Sequence, residues 1–204
     1  MLFSFTSLHY IVTSLHYRTL HMFKNTPSSY GLVAIILHWL MALTIFGLFG
    51  LGLYMVELTY YDSWYKGSLD LHKSIGITLV AVFLFRILWR ALSTQPKPLG
   101  ESKGMNQLAH TAHIAMYIIL AIIVVAGYLI STADGRPIEV FTLFNVSALD
   151  FAFDDQADIA GKVHYYGACT LIGFAVLHAL GALKHHFIDK DKTLIRMIKP
   201  LKDD

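Results

Sequence analysis

Residues 31–56 read GLVAIILHWLMALTIFGLFGLGLYMV, and this stretch decides the fold class. It includes no Asp, Glu, Lys or Arg. About 20 apolar residues are enough to cross ~30 Å of hydrocarbon as an α-helix, so the stretch is long enough to span a membrane. Further along the chain, the segments 105–133 and 163–183 are also uncharged and long enough to span. These three segments each predict a transmembrane helix.

A fourth apolar segment, 71–92, contains Arg86 and Arg90 in its second half. Long arginine side chains can reach the nearer membrane surface, so this segment is also predicted to span. The composition agrees, because 55% of the 204 residues are hydrophobic and only 15% are charged. That composition excludes a disordered chain and a nucleic-acid-binding arm, and one cysteine excludes a disulfide scaffold. The predicted fold is an all-α transmembrane four-helix bundle, with helices at about 31–56, 71–92, 106–132 and 162–184.

The orientation follows from the positions of Lys and Arg. Bases exceed acids in the link around Arg90–Lys103, and the tail after Leu183 has six bases against four acids. In contrast, the stretch 57–73 carries three acids and two bases, and the stretch 134–162 carries six acids and two bases. Lys and Arg gather on the cytoplasmic side of membrane proteins. Both termini are therefore predicted to be cytoplasmic.

The N-terminal stretch 1–25 is predicted to be a poorly ordered extension, and 26–204 the membrane domain. The extension contains Ser-Leu-His-Tyr twice, at 7–10 and 14–17. It resembles a signal peptide poorly, because His9 and His16 interrupt its apolar run. We expect Met22 to be the functional start of the chain.

Four of the eleven histidines form a pattern within the apolar segments. His72 and His164 open the second and fourth segments, so both lie at the outer membrane level. His38 in the first segment and His178 in the fourth lie at the inner level. The step from His164 to His178 corresponds to ~21 Å along a helix and ~40° around it. One face of the fourth helix therefore presents an imidazole near each membrane surface.

Two stacked bis-histidine haem sites need such an arrangement, because a flat haem fits between helices that each supply one axial imidazole. Zinc would require a tighter cluster of four mixed ligands. The sequence contains no Cys-x-x-Cys-His, so the predicted haem is of the non-covalent b type. A single intramembrane histidine is about as often a hydrogen-bond partner in helix packing as it is a ligand. Four histidines at two matched depths favour haem ligation.

The outer pair has no competitor, whereas the inner pair does. His110 and His113 begin the third segment at the inner level, and either could replace His38 or His178. The spacing from His164 favours His178 as one ligand of the inner haem and does not identify the second ligand. Arg86 follows His72 at the same spacing as His178 follows His164, so it lies at the inner level. There it would either pair with a haem propionate or reach toward water. The glycines at 47, 50 and 52 indicate close helix packing.

From about residue 30 to residue 200, the chain resembles the bacterial di-haem cytochrome b561 family of inner-membrane proteins. The resemblance rests on motifs in every helix and in the tail. These motifs are Ile-Leu-His38-Trp39, Leu71-His72-Lys-Ser-Ile-Gly76 with Arg86, Leu108-Ala-His110-Thr-Ala-His113 with Tyr117, His164-Tyr-Tyr-Gly167, Leu177-His178-Ala179, Lys184-His-His-Phe187 and Thr193-Leu-Ile-Arg196-Met197.

The resemblance implies two b haems, one held by His38 and His178 and the other by His72 and His164. It also implies electron transfer between the periplasm and ubiquinone across the bacterial inner membrane, with superoxide as one electron donor. A related branch supplies cytochrome b subunits to hydrogenases and other periplasmic oxidoreductases. His110, His113 and Tyr117 are candidate neighbours of the quinone on the inner side, from their location alone.

Three functions follow from this interpretation. The first is a superoxide:ubiquinone oxidoreductase, and the second is a relay subunit for a periplasmic or hydrogenase-type redox partner. The outer loops together carry nine acids and four bases, a charge that disfavours steering of an anion. A local basic patch using Lys66, Lys73, Arg136 and Lys162 would still attract superoxide. The third, remote function is a non-redox histidine-rich transporter, which would need a polar path that the apolar segments lack.

Overall fold

A computed structural model describes residues 22–100, 102–149 and 153–201. Within these residues, four long helices follow one another along the chain. They are α1 (Leu32–Val56), α2 (Tyr65–Leu92), α3 (Lys103–Ser131) and α4 (Gln156–Phe187). Each is long and apolar enough to cross a membrane. The chain is therefore an all-α, four-helix, multi-pass membrane protein, as predicted. The stretch 1–21, most of the expected N-terminal extension, lies outside the described residues.

Two helices are longer than the apolar segments that predicted them. α2 begins at Tyr65 and not near residue 71, and α4 runs from Gln156 to Phe187 and not from 162 to 184. Apolar patterning detects the part of a helix that faces hydrocarbon, whereas backbone hydrogen bonding continues through polar turns at both ends. The added turns include Asp158 at the start of α4 and His185 near its end.

The acidic loop between α3 and α4 contains a short hairpin that was not predicted. Strands β1 (Ile138–Val140) and β2 (Phe144–Val146) pair in antiparallel fashion. Ser74 of α2 contacts the hairpin, since the backbone N–H of Phe141 donates to its Oγ at 3.1 Å. Tyr128 of α3 fixes the following residues by donating to the carbonyl of Ser147 and accepting from the N–H of Leu149.

Local signals explain where the helices start and stop. Ser102 caps α3, accepting a bond from the N–H of Met105 at 3.4 Å. At the other end of α3, Thr132 donates both its N–H and its hydroxyl to the carbonyl of Tyr128. The link 93–99 after α2 contains Pro96 and Pro98, which disfavour further helix.

The chain separates into two compact units. Among the described residues, the first unit comprises those up to Trp39, Phe85–Leu99 and those from Ala182 onward, and the second comprises those within Leu40–Leu84 and Gly100–Gly181. The second unit has a core to which all four helices contribute buried side chains. These are Met41, Leu79, Phe83, Leu120, Ile123 and Leu171.

The outward faces of the helices are apolar. Leu43, Ile118 and Leu177 are 70%, 55% and 66% exposed, respectively. In a water-soluble protein, the exposure of so many apolar side chains to water would be unfavourable in free energy. In a membrane, lipid covers these side chains. The exposed leucines and isoleucines are consistent with the bilayer crossing indicated by helix length.

Candidate haem site

His72 and His164 face each other in the second unit. Their ring centroids are 6.1 Å apart and their ring planes meet at 66°. Two imidazoles that bind one metal ion from opposite sides, with metal–nitrogen bonds of about 2 Å, have ring centroids roughly 6 Å apart. The separation of the two rings therefore suits a shared iron.

A backbone carbonyl orients one of these rings. His164 Nδ1 lies 2.9 Å from the carbonyl oxygen of Ile123. A carbonyl only accepts, so Nδ1 carries the proton and donates it. This tautomer leaves the lone pair on Nε2, the atom that a metal would need. His164 is therefore held in the tautomer that can bind a metal through Nε2.

Two glycines make room for the rings. A Cβ at Gly127 would lie 3.1 Å from both Cε1 and Nδ1 of His164, and a Cβ at Gly52 would lie 3.4 Å from Cε1 of His72. A side chain at Gly127 would thus push the ring away from the Ile123 carbonyl. The glycines at 47, 50 and 52 predicted close helix packing. The prediction is wrong for Gly47 and Gly50, where an added Cβ would meet nothing within 4 Å, and Gly52 faces the His72 imidazole. Nothing in the sequence distinguished Gly127.

His72 is less constrained than His164. Its Nδ1 is buried and has no hydrogen-bond partner in the part of the chain that the structure describes. A buried polar atom without a partner costs about 1–3 kcal/mol. Because no hydrogen bond fixes its tautomer, His72 can offer Nε2 to a metal without losing a contact. The donor set therefore fits a bis-histidine haem.

The other sequence-predicted residues lie in two further groups. In the first unit, Arg86 Nη2 lies 3.3 Å from His38 Nδ1, and the Trp39 ring packs edge-on against His38 with centroids 5.4 Å apart. In the second unit, His113 packs against His178 with ring centroids 5.0 Å apart. That separation is shorter than the spacing for two ligands of one iron, so the pair is a ring contact.

The candidate quinone neighbours on α3 differ in exposure and in their contacts. His110 is exposed, whereas Tyr117 is partly buried against the core and stacks on Phe83 with ring centroids 5.9 Å apart. His113 is occupied by its contact with His178. Of the three, His110 is the side chain that a molecule in the surrounding lipid or water would reach first.

Ion pairs involve two bases of the predicted basic patch. In α2, Lys73 Nζ lies 2.9 Å from Asp70 Oδ1, and in the loop between α3 and α4 the guanidinium of Arg136 is bonded to the carboxylate of Asp134. The Arg136 side-chain hydrogen bond lowers the pKa of Asp134, and the Asp134 carboxylate raises the pKa of Arg136. Two of the four bases of the predicted basic patch are thus neutralised by acids.

The helices and the facing imidazoles define a multi-pass membrane protein with a histidine pair suited to haem. The range 29–200 of the chain matches the family described as prokaryotic cytochrome b561. The chain belongs to this family, and membership implies haem b binding and electron transfer in a membrane.

Two curated relatives agree with this assignment. The chain is 49% identical over 177 residues to cytochrome b561 homolog 2 of Escherichia coli (strain K12), covering 86% of this chain and 94% of the relative. It is 30% identical over 171 residues to a probable superoxide oxidase, CybB, of Yersinia pestis, covering 83% of this chain and 95% of the relative.

Proposed function

We propose that this chain is a di-haem b cytochrome that transfers electrons between the periplasmic side of the bacterial inner membrane and ubiquinone. The observation that carries the proposal is the separation of 6.1 Å between the His72 and His164 rings, which suits a shared iron. We assign this pair as the axial ligands of the outer haem. A bound haem supplies an iron that accepts and releases one electron at a time.

The inner haem is assigned to His38 and His178, a pairing that the family resemblance implies. The contact between Arg86 and His38 supports the placement of Arg86 as a partner for a haem propionate. A guanidinium forms strong, bidentate bonds with a carboxylate, so a propionate would compete well for Arg86. With the propionate bound to Arg86, His38 Nδ1 would no longer accept from the guanidinium and could carry the ring proton, which leaves Nε2 to bind iron.

The proposed orientation has both termini in the cytoplasm. The excess of bases in the link 93–103 and in the tail supports it, as does the excess of acids in the other two loops. The His72–His164 pair would then lie on the periplasmic side. His110 on α3 is the most accessible candidate for contact with ubiquinone on the opposite side.

Superoxide is the first candidate electron donor. The resemblance to the probable superoxide oxidase of Yersinia pestis supports it. Two superoxide anions would each lose one electron and become dioxygen. The two electrons, with two protons, reduce one ubiquinone to ubiquinol. Because axial imidazoles on both sides would occupy the iron, electrons would pass without superoxide binding to the metal.

A cationic redox protein is the second candidate donor, which would make the chain a relay subunit. Two ion pairs support this candidate, because Lys73 of α2 and Arg136 of the loop between α3 and α4 are both paired with acids. A surface with an excess of carboxylates attracts a basic protein and repels an anion.

Stopped-flow reduction of the oxidised protein by superoxide separates the two donors. If superoxide is the donor, haem reduction is fast, and His72→Ala abolishes the fast phase because the outer haem is missing. If reduction is slow and insensitive to salt, the relay function is favoured. A purified protein with no b-type reduced-minus-oxidised spectrum would contradict both.

A further inference from the structure

The C-terminal tail, residues 188–201, is held within the first unit by specific bonds. Immediately after α4, Asp191 accepts a hydrogen bond from the N–H of Thr193 at 2.7 Å, and its other oxygen lies 2.7 Å from His185 Nδ1. Lys184 pairs with Asp189 in the same turn, with nitrogen and oxygen 2.8 Å apart. These contacts direct the chain into the 3₁₀ turn Ile195–Met197.

Arg196 attaches this turn to two other segments. Its side chain is buried, at only 5% exposure. Its Nη1 donates to the carbonyl of Lys97 at 3.0 Å, and its guanidinium carbon lies 5.5 Å from the ring centroid of Tyr30. A buried cation is tolerated only where such contacts replace water. Arg196 therefore connects the tail to the link after α2 and to the residues before α1.

The turn then reaches the side chain beside His38. The carbonyl of Met197 accepts a hydrogen bond of 2.6 Å from Trp39 Nε1. The Trp39 indole packs edge-on against His38, at an angle of 78° between the rings. The tail is thus bonded to the indole that borders a proposed haem ligand, and Arg86 contacts the same imidazole at Nδ1.

We propose that the C-terminal tail positions His38, with Trp39 as the positioning residue that connects the two. The proposal rests on the proposed function, in which His38 is an axial ligand. Since a fixed imidazole and a dry environment tune a haem's reduction potential, loss of the Trp39–Met197 bond should alter one haem and not the other. A looser, wetter site favours the more highly charged ferric form, so the potential of that haem should fall.

The test is a redox titration of the purified holoprotein carrying Trp39→Phe, with electron paramagnetic resonance of the oxidised haems. Phenylalanine keeps an aromatic ring beside His38 and removes the N–H. Trp89→Phe is the matched control, because the buried Nε1 of Trp89 has no hydrogen-bond partner among the described residues. We expect Trp39→Phe to lower one midpoint potential and shift the g-values of that haem, while Trp89→Phe leaves both haems as in the parent.

Arg196→Ala provides a second route to the same effect. It releases the tail without altering the aromatic rings, and we expect it to shift the same haem in the same direction. In the double variant Trp39→Phe/Arg196→Ala, the shift should be no larger than the larger single shift, because both changes break one chain of contacts.

Several outcomes would overturn the proposal. These are two unchanged potentials in Trp39→Phe, equal shifts of both haems, or a shift that Trp89→Phe reproduces. Failure of the proposed function appears differently, as a parent protein without two b haems or as a His38→Ala variant that retains both.

Discussion

The ring pair His72–His164 and the surroundings of His38 differ in how ready the imidazoles are to bind iron. His164 already donates from Nδ1 to a carbonyl, and its partner ring lies at 6.1 Å. His38 instead faces a guanidinium at Nδ1, which can only donate, so the proton of a neutral ring lies on Nε2. In the proposed di-haem arrangement, His164 already has the tautomer that an iron ligand needs, whereas His38 would have to exchange its contact with Arg86 when a haem binds.

This difference predicts that the two haems respond differently to nearby substitutions. We expect changes around His164 to act directly on a proposed axial ligand. We expect changes around His38 to act through Arg86, Trp39 and the tail.

The largest expected effect is the loss of a whole haem. His72→Ala or His164→Ala would remove one of the two proposed axial ligands of the outer haem, so the haem content should fall from two to one per chain. Haem extraction as the pyridine complex, divided by the protein concentration, measures the ratio. His110→Ala, on an exposed position of α3, is the control and should retain both haems. A His72→Ala protein with two haems would remove the basis of the comparison.

The inner site offers an equally large test of the ligand assignment. We expect His38→Ala to lose one haem and His113→Ala to keep both, because the His113 ring lies too near His178 to share an iron with it. The same haem-to-protein ratio decides the outcome. If His113→Ala lost a haem and His38→Ala did not, the inner assignment would be wrong.

Gly127→Ala should weaken the outer haem without removing it. The added methyl would lie 3.1 Å from His164 Nδ1 and displace the ring from the Ile123 carbonyl. Loss of such a supporting bond typically costs about 10–100-fold in affinity for a metal centre. Transfer of haem to an excess of a haem-scavenging globin measures the change.

The matched control is Gly173→Ala in α4, where an added Cβ would meet nothing within 4 Å. It should leave haem transfer unchanged, and replacing a mid-helix glycine should stabilise the helix by up to about 1 kcal/mol. Equal haem loss in both variants would show that Gly127 has no special role beside His164.

The smallest expected effect is the response of the tail to acid. Burial alone would raise the pKa of Asp191, but hydrogen bonds from Thr193 and His185 outweigh it and lower the pKa below its ordinary value of 3.8. A carboxyl whose pKa is lowered by folding stabilises the fold fully at any pH above its ordinary pKa. This stabilisation is lost as the pH falls through the lowered pKa of the folded state. The tail should therefore stay anchored down to about pH 4 and loosen only below it.

A fluorescent label at Lys199→Cys, in a Cys169→Ala background, reports this change through its anisotropy. Asp191→Asn, which cannot titrate, should give a profile without the acid transition. A transition of the parent near neutral pH would indicate that a histidine, and not Asp191, controls the tail.

The membrane fold could be predicted from the sequence because lipid imposes a simple rule on length and charge. Four uncharged or nearly uncharged segments indicated the four helices, and histidines at matched depths pointed to His72 and His164 as partners. Helix ends were misplaced at Tyr65 and Gln156, since hydropathy does not detect the polar turns that continue a helix.

Other features of the site lie outside what sequence patterns can report. The bond from His164 to the Ile123 carbonyl depends on the approach of α4 to a glycine of α3, and no local pattern encodes that distance. The bond from Trp39 to Met197 joins positions far apart in the chain. The hairpin β1–β2 was also missed, because its two very short strands give too brief a periodic signal.

The haem-to-protein ratio of the purified chain, read with its reduced-minus-oxidised spectrum, decides whether the chain is a di-haem cytochrome. We expect two b-type haems per chain that titrate as two separate one-electron centres. A protein that holds no b haem, or only one at full occupancy, would contradict it.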